Sequence, residues 1–243
     1  MTIRDNFQKA KYVYVIYPGA TGGNHVCNMI SLCKDFAPRV EVDKDYPTWL
    51  VEQYKKVPYT KTFPKYVNAH VGKDIHHIDR LYEYIPKEQV LNNDRKLLIQ
   101  GHIFNFYHAY DTEILKELGK DYVGIILDYP EEGTLPYHRI TTYEYHSPMR
   151  DYHFPTEIGS IHNDSYIKID DSNGFMFKTV NLFTKNGSEN LRVLLADKFG
   201  IELPKAADQL HEMWWKWMTH ILDPKTIALW GQPPLGFPNI KTR

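Results

Sequence analysis

Two short apolar runs stand out along the chain, Tyr12-Val-Tyr-Val-Ile-Tyr17 and Tyr122-Val-Gly-Ile-Ile-Leu127. Neither alternates apolar with polar, so both predict strands buried on both faces rather than strands with a wet side. Lys96-Leu-Leu-Ile-Gln100 is a third strand, ending at Gly101-His102, with further candidates at Tyr66–Val71 and Tyr166–Ile169. Between them the period changes. From His25 the residues Val26, Met29, Ile30 and Cys33 recur at helical spacing. Residues 48–55 carry Trp49, Leu50 and Tyr54 on one side, and 75–82 carry Ile75, Ile78, Leu81 and Tyr82. Residues 111–118 read as a helix stopped by Gly119, and a helix after Gly187-Ser188 shows Leu191, Leu194, Leu195 and Phe199 before Gly200. A last helix over 206–222 bears Leu210, Met213, Trp214, Trp217 and Ile221. Residues 55–64 read as a polar connection and 141–165, rich in Tyr, His and Pro without period, as an irregular lid; the tail over 230–243 is proline-rich and extended.

Short apolar strands alternating with amphipathic helices predict an α/β fold, a central parallel sheet with helices on both faces in three layers. No repeat, linker or charge block divides the chain, so residues 1–243 are read as a single domain. Such sheets collect ligands at the carboxyl ends of their strands. Three segments fall there: the turn over 18–25, Gly101-His102, and the stretch from Asp128 to Arg139.

The turn is the most specific of the three. Pro18, Gly19, Ala20, Thr21, Gly22, Gly23, Asn24 and His25 lead from the first strand into the first helix. Glycines there let several backbone N–H groups converge, and the helix start adds partial positive charge, which together favour phosphate or sulfate. The other reading is a structural strand-to-helix turn with no ligand.

Charge and cysteine content narrow the field. A formal net charge of −1 over 243 residues gives no electrostatic footprint for nucleic acid. There is no apolar run of bilayer length, and Met1-Thr-Ile-Arg-Asp-Asn lacks the apolar core of a signal peptide. The 2 cysteines, Cys27 and Cys33, fall on different sides of one predicted helix and cannot bridge. A reduced, cytoplasmic protein is expected. His76-His77 with Asp79 does not complete a metal-ligand set, so no metal is expected. Nothing in the sequence indicates an oligomeric state.

Taken together the motifs resemble the P-loop sulfotransferase family, over residues 10–35 and 95–202. Tyr17-Pro18-Gly-Ala-Thr21-Gly22-Gly23-Asn24 is similar to the family loop that binds the 5′-phosphosulfate of 3′-phosphoadenosine 5′-phosphosulfate, with Gly23-Asn24 in place of hydroxyl residues. Lys96-Leu-Leu-Ile-Gln-Gly101-His102 resembles the strand that ends in the catalytic base. Ile125-Ile-Leu-Asp128-Tyr-Pro130 resembles in part the Arg-Asp-Pro segment that precedes the 3′-phosphate ligands, without its Arg or the following Ser. Ile167-Lys-Ile-Asp170-Asp171 before the 189–199 helix is similar to the family's later strand-acidic-helix unit.

The resemblance implies sulfuryl transfer from that donor, as co-substrate, to a hydroxyl or amine of a small-molecule or glycan acceptor. It implies that 18–25 holds the 5′-phosphosulfate, that His102 is the base, and that Arg139 stands in for the absent arginine. The loop has no lysine at Gly19-Ala20, and Lys34, Lys168 or Arg139 would have to supply that charge. Tyr143, Tyr145 and His146 would shape the acceptor pocket. Each residue also has a structural reading: His102 as a packing histidine at a strand end, Arg139 in a surface ion pair, His25 facing solvent, and the tryptophans of 214–217 as core packing. Two other classes remain. A P-loop kinase would need Gly-Lys-Ser/Thr where this chain has Gly23-Asn24-His25. A catalytically silent binding protein would keep the fold and use its Tyr- and Trp-rich surface.

Overall fold

The structure is a computed structural model that describes residues 2–17, 22–36, 45–56, 95–102, 122–128, 162–163, 167–168 and 171–222. Its elements in chain order are α1 (Ile3–Lys9), β1 (Tyr12–Tyr17), α2 (Gly23–Ile30), α3 (Tyr46–Lys56), β2 (Leu97–His102), β3 (Tyr122–Leu127), β4 (His162–Asn163), β5 (Ile167–Lys168) and β6 (Gly174–Phe177). A 3-10 turn at Thr179–Asn181, then α4 (Gly187–Lys198) and α5 (Ala206–Leu222), complete them.

The three strands read from apolar runs form where expected. They join β6 in a four-stranded sheet of order β2-β1-β3-β6. Every pairing is parallel, so the described core is an α/β arrangement. All six residues of β1 are buried, as a central parallel strand requires. On one face Val13, Val15 and Tyr17 join Leu98, Val123, Ile125, Leu127, Phe175 and Phe177 in the main core. That core is closed by Val26, Met29 and Ile30 of α2, Leu191 and Leu195 of α4, and Leu210 and Trp214 of α5. Tyr12, Tyr14, Ile16 and Ile126 on the other face are buried as well.

Several elements depart from the sequence reading. α1 has no long apolar stripe. It starts because Thr2 and Asp5 form a reciprocal capping box, and it is anchored by Phe7, whose ring stacks on Phe199 at 4.7 Å. α2 ends at Ile30 rather than running on to Cys33, and the chain turns back so that Phe36 bridges Lys96 ahead of β2. The strand that enters the sheet before α4 is β6. Ile167–Lys168 pairs instead with His162–Asn163 in a separate antiparallel ribbon, which gives the segment read as irregular at least one regular pairing.

α3 and α4 match their predicted stripes, and α5 does so as far as Trp214, with Leu50, Tyr54, Leu191, Leu195, Leu210 and Trp214 buried; the side chains of Trp217 and Ile221 lie outside the described residues. α4 stops because Gly200 takes φ 75°, with Gly200 N–H on Ala196 C=O and Ile201 N–H on Leu195 C=O. The strand expected at 66–71, the helices expected at 75–82 and 111–118, most of 141–165 and the tail at 230–243 lie outside the described residues. Among the described residues no helix is long and apolar enough to cross a membrane.

Candidate functional site

The strand order places β1 inside the sheet, with β2 on one side and β3 and β6 on the other. Chain connections therefore diverge at the carboxyl end of β1, the position where open α/β sheets leave a crevice. Tyr17 is in register with His102, and Leu127 with Phe177. The same edge thus carries the start of the glycine turn, His102, Asp128 and Lys178.

Of the predicted turn, Pro18, Gly19, Ala20 and Thr21 lie outside the described residues. Gly22 sits just before α2 at φ 79°, and a Cβ there would fall 2.6 Å from Leu182 Cδ2, with Phe183 and Trp214 each 3.6 Å away. Gly23 has no room either, because its Cβ would enter the Tyr17 ring. Tyr17 in turn donates its hydroxyl to Asn24 Oδ1 at 2.7 Å. Gly22 and Gly23 therefore let α2 sit directly on the end of β1 and under Leu182 and Trp214. The described part of the turn presents backbone N–H groups at a helix start, an arrangement that suits an anion, and no cationic side chain.

His25 does not face solvent: it is buried at 1 % exposure, with its α2 position packed against α3 and α5. Its Nδ1 lies 3.1 Å from the Tyr54 hydroxyl and its Nε2 lies 3.1 Å from His211 Nδ1. The ring stacks on Trp214 with centroids 4.4 Å apart. His211 Nε2 reaches Thr184 C=O at 2.8 Å and Gly187 N–H at 3.1 Å, and Asn28 Nδ2 donates to the Tyr54 hydroxyl at 3.0 Å. Burial, reinforced by the neighbouring His211, holds His25 well below the ordinary histidine range. Burial lowers His211 as well, opposed by its bond to Thr184 C=O and by Asp208. Burial raises the Tyr54 phenol. Both imidazoles are therefore neutral near pH 7. Asn28 Oδ1, fully buried, has no hydrogen-bond partner among the described residues.

The remaining candidates separate by position. The backbone of His102 ends β2 beside Tyr17, at the carboxyl edge. Arg139, Tyr143, Tyr145 and His146 lie outside the described residues. Lys34 follows α2 and neighbours Asp35, whose carbonyl accepts Lys96 N–H at the amino end of β2. That is the opposite edge of the sheet, so Lys34 does not supply the missing loop cation. Lys168 belongs to the separate ribbon. Asp128, nearly buried, accepts Thr179 N–H on Oδ1, while Thr179 Oγ1 donates to its carbonyl at 2.6 Å. Lys178 Nζ stands 3.4 Å from Asp128 Oδ2 with its side chain 60 % exposed. Lys178 is a described cation at the carboxyl edge, at the end of β6 and two strand spacings from β1, and the sequence reading passed over it. Trp214 is buried as packing, and Trp215 is half-buried against the same core. Among the described residues no group of three or more His, Cys, Asp or Glu is placed to hold a metal.

His211, Tyr54 and Asn28 were also missed. His211 follows Leu210 and precedes Trp214 by one turn, so a histidine inside an apolar stripe was the available signal. No family model, no curated protein and no solved structure matches this chain.

Proposed function

We propose that the chain is a three-layer P-loop-type domain that transfers a sulfuryl group from 3′-phosphoadenosine 5′-phosphosulfate to a hydroxyl or amine of a small-molecule or glycan acceptor. The observation that carries this reading is the register of β1 and β2. Tyr17, the residue before the glycine turn, lies opposite His102 on the adjacent strand, ~5 Å away in backbone terms, which supports reading the turn as the donor site and His102 as the base. Residues 18–24 would hold the 5′-phosphosulfate through backbone N–H groups. His25 leaves the ligand set, because its ring is committed to Tyr54 and His211. Lys178, paired with Asp128 at the end of β6, is a described cation on the same edge that would offset charge on the leaving phosphate, and Arg139 stays in the proposal from sequence alone.

In the reaction the acceptor oxygen forms a new bond to sulfur as the bond from sulfur to the 5′-phosphate oxygen breaks. The acceptor proton passes to His102, and 3′,5′-adenosine bisphosphate leaves. Calorimetric titration with that bisphosphate, beside ATP with magnesium, tests the donor assignment. Binding of the bisphosphate alone supports it; binding of ATP alone replaces it with a nucleotide kinase; binding of neither removes it. His102→Ala tests the base: turnover is lost while affinity for the bisphosphate stays at the wild-type value, and retained turnover removes His102 from the mechanism.

A further inference from the structure

Four elements meet at one buried polar cluster. α2 contributes His25 and Asn28, α3 contributes Tyr54, the turn before α4 contributes Thr184 and Gly187, and α5 contributes His211 and Trp214. We propose that the His25–His211 pair is an acid-released latch that, while neutral, holds α5 over the start of α2.

The hydrogen-bond arithmetic supports this. In one arrangement Asn28 Nδ2–H donates to Tyr54, Tyr54 O–H to His25 Nδ1, His25 Nε2–H to His211 Nδ1, and His211 Nε2–H to Thr184 C=O. Run in reverse, Gly187 N–H donates to His211, His211 to His25, His25 to Tyr54, and Tyr54 to an Asn28 amide turned over. Either direction fills every ring nitrogen with a single proton between the imidazoles. One added proton makes His25 Nδ1 a donor to the Tyr54 hydroxyl, which the Asn28 amide, turned over, can receive on its Oδ1. A second proton places two N–H donors face to face across a 3.1 Å gap.

Among the described residues little compensates for such charge. From α2 the neighbouring titratable group is Cys27, whose buried thiol is pushed up, and from α3 they are the phenols of Tyr54 and Tyr46. The turn before α4 brings Lys185, a like charge. On α5, Asp208 is the carboxylate that acts on His211, but it is committed to Arg192 at 2.7 Å, and Glu212 is committed to Lys216. Trp214 offers its ring face to His25, a smaller effect than removing a charge from water. Trp214 also covers Gly22, so release of α5 uncovers the glycine turn.

A histidine held below its ordinary range when folded contributes stability that is complete above about pH 6.5 and is lost as the pH falls below it. Urea unfolding of the full chain between pH 8 and 5 reads this directly. The pair adds up to ~100-fold per pH unit to the unfolding constant on the acid limb, because the unfolded chain takes up two more protons. His211→Asn keeps a side-chain partner near His25 Nε2 but takes no proton, and lowers that slope by ~10-fold per pH unit. An unchanged acid limb in His211→Asn overturns the latch. Where that variant does not fold, imidazole nitrogen NMR of the wild type decides. The latch requires the two rings to stay neutral while exposed histidines titrate, then to change together with Trp214. Independent titration of both near the ordinary value, with the Trp214 environment unchanged, overturns it.

Discussion

Gly22 and Gly200 are both left-handed, at φ 79° and 75°, yet they stand in different surroundings, and this difference isolates what packing does at the glycine turn. A Cβ on Gly200 meets only the flexible guanidinium of Arg4, at 3.4 Å and beyond, whereas one on Gly22 falls 2.6 Å from Leu182 Cδ2. Alanine in a left-handed conformation costs about 1–2 kcal/mol, offset by about 0.4–1 kcal/mol from the stiffer unfolded chain. Gly200→Ala should therefore lose about 1 kcal/mol. Gly22→Ala carries the same backbone term plus about 1–3 kcal/mol of overpacking, for a net loss of about 3 kcal/mol. For a chain of this size that is a melting-point drop of ~6–12 °C against ~2–4 °C. The assay is urea unfolding followed by circular dichroism, comparing midpoints at constant slope. Leu182→Ala, which removes the obstructing methyl groups, should make Gly22→Ala cheaper in that background than in the wild type. Equal losses for Gly22→Ala and Gly200→Ala, or no coupling to Leu182, would refute the packing account.

Other perturbations read separate parts of the structure. Asp128→Ala leaves the buried Thr179 N–H without its acceptor and should cost about 1–3 kcal/mol in urea unfolding; Asp128→Asn, which keeps an oxygen there, should recover most of it. Thr2→Ala removes the capping box of α1 and should cost about 1 kcal/mol, with amide exchange in Ile3–Lys9 accelerating first. Cys27 and Cys33 are buried with their thiols pushed up, so both should resist a thiol reagent in the folded chain and react on adding urea; labelling of the native protein at the rate of a free thiol would contradict their burial. Lys178→Ala should weaken binding of 3′,5′-adenosine bisphosphate while lowering stability by no more than about 1 kcal/mol, because Asp128 keeps its bond from Thr179 N–H.

The parts of the fold legible in the sequence were those where one local pattern decided the outcome. β1 and β3 are unbroken apolar runs, and α4 and α5 carry their stripes and, for α4, a glycine stop. β6 was missed because Gly-Phe-Met-Phe has no β-branched residue and spans only 4 positions, while Tyr-Ile-Lys-Ile upstream has the better strand composition, yet its described residues, Ile167–Lys168, pair in the small ribbon. α1 was missed because its stability rests on a cap and one phenylalanine rather than on periodicity. At the site, the register that sets Tyr17 beside His102 is a property of the sheet, but both residues stood at recognisable strand ends. The partner of His25 was not legible at all: His211 is 186 positions away, and no local pattern encodes such a pairing. The glycines were legible as a turn, but their requirement for close packing shows only once Leu182, Trp214 and Tyr17 are in place.

That packing changes how function at the turn must be tested. Gly22 is fixed by Leu182 and Trp214, Gly23 by the Tyr17 ring, Asn24 by the Tyr17 hydroxyl, and His25 by Tyr54 and His211. Contacts from β1, α3, α5 and the stretch before α4 thus shape the start of α2 without any ligand. A substitution anywhere from 22 to 25 will then loosen the fold as well as the proposed anion site, so lost binding in such a variant has two possible causes. Residues that stand at the carboxyl edge but carry little stability separate the two. Lys178 is one, because its own side chain is exposed and Asp128, on the buried side of the pair, keeps its hydrogen bond from Thr179 N–H when the lysine is removed. Loss of bisphosphate binding at constant stability in Lys178→Ala would locate the anion at this edge, whereas the same loss in Gly22→Ala would not.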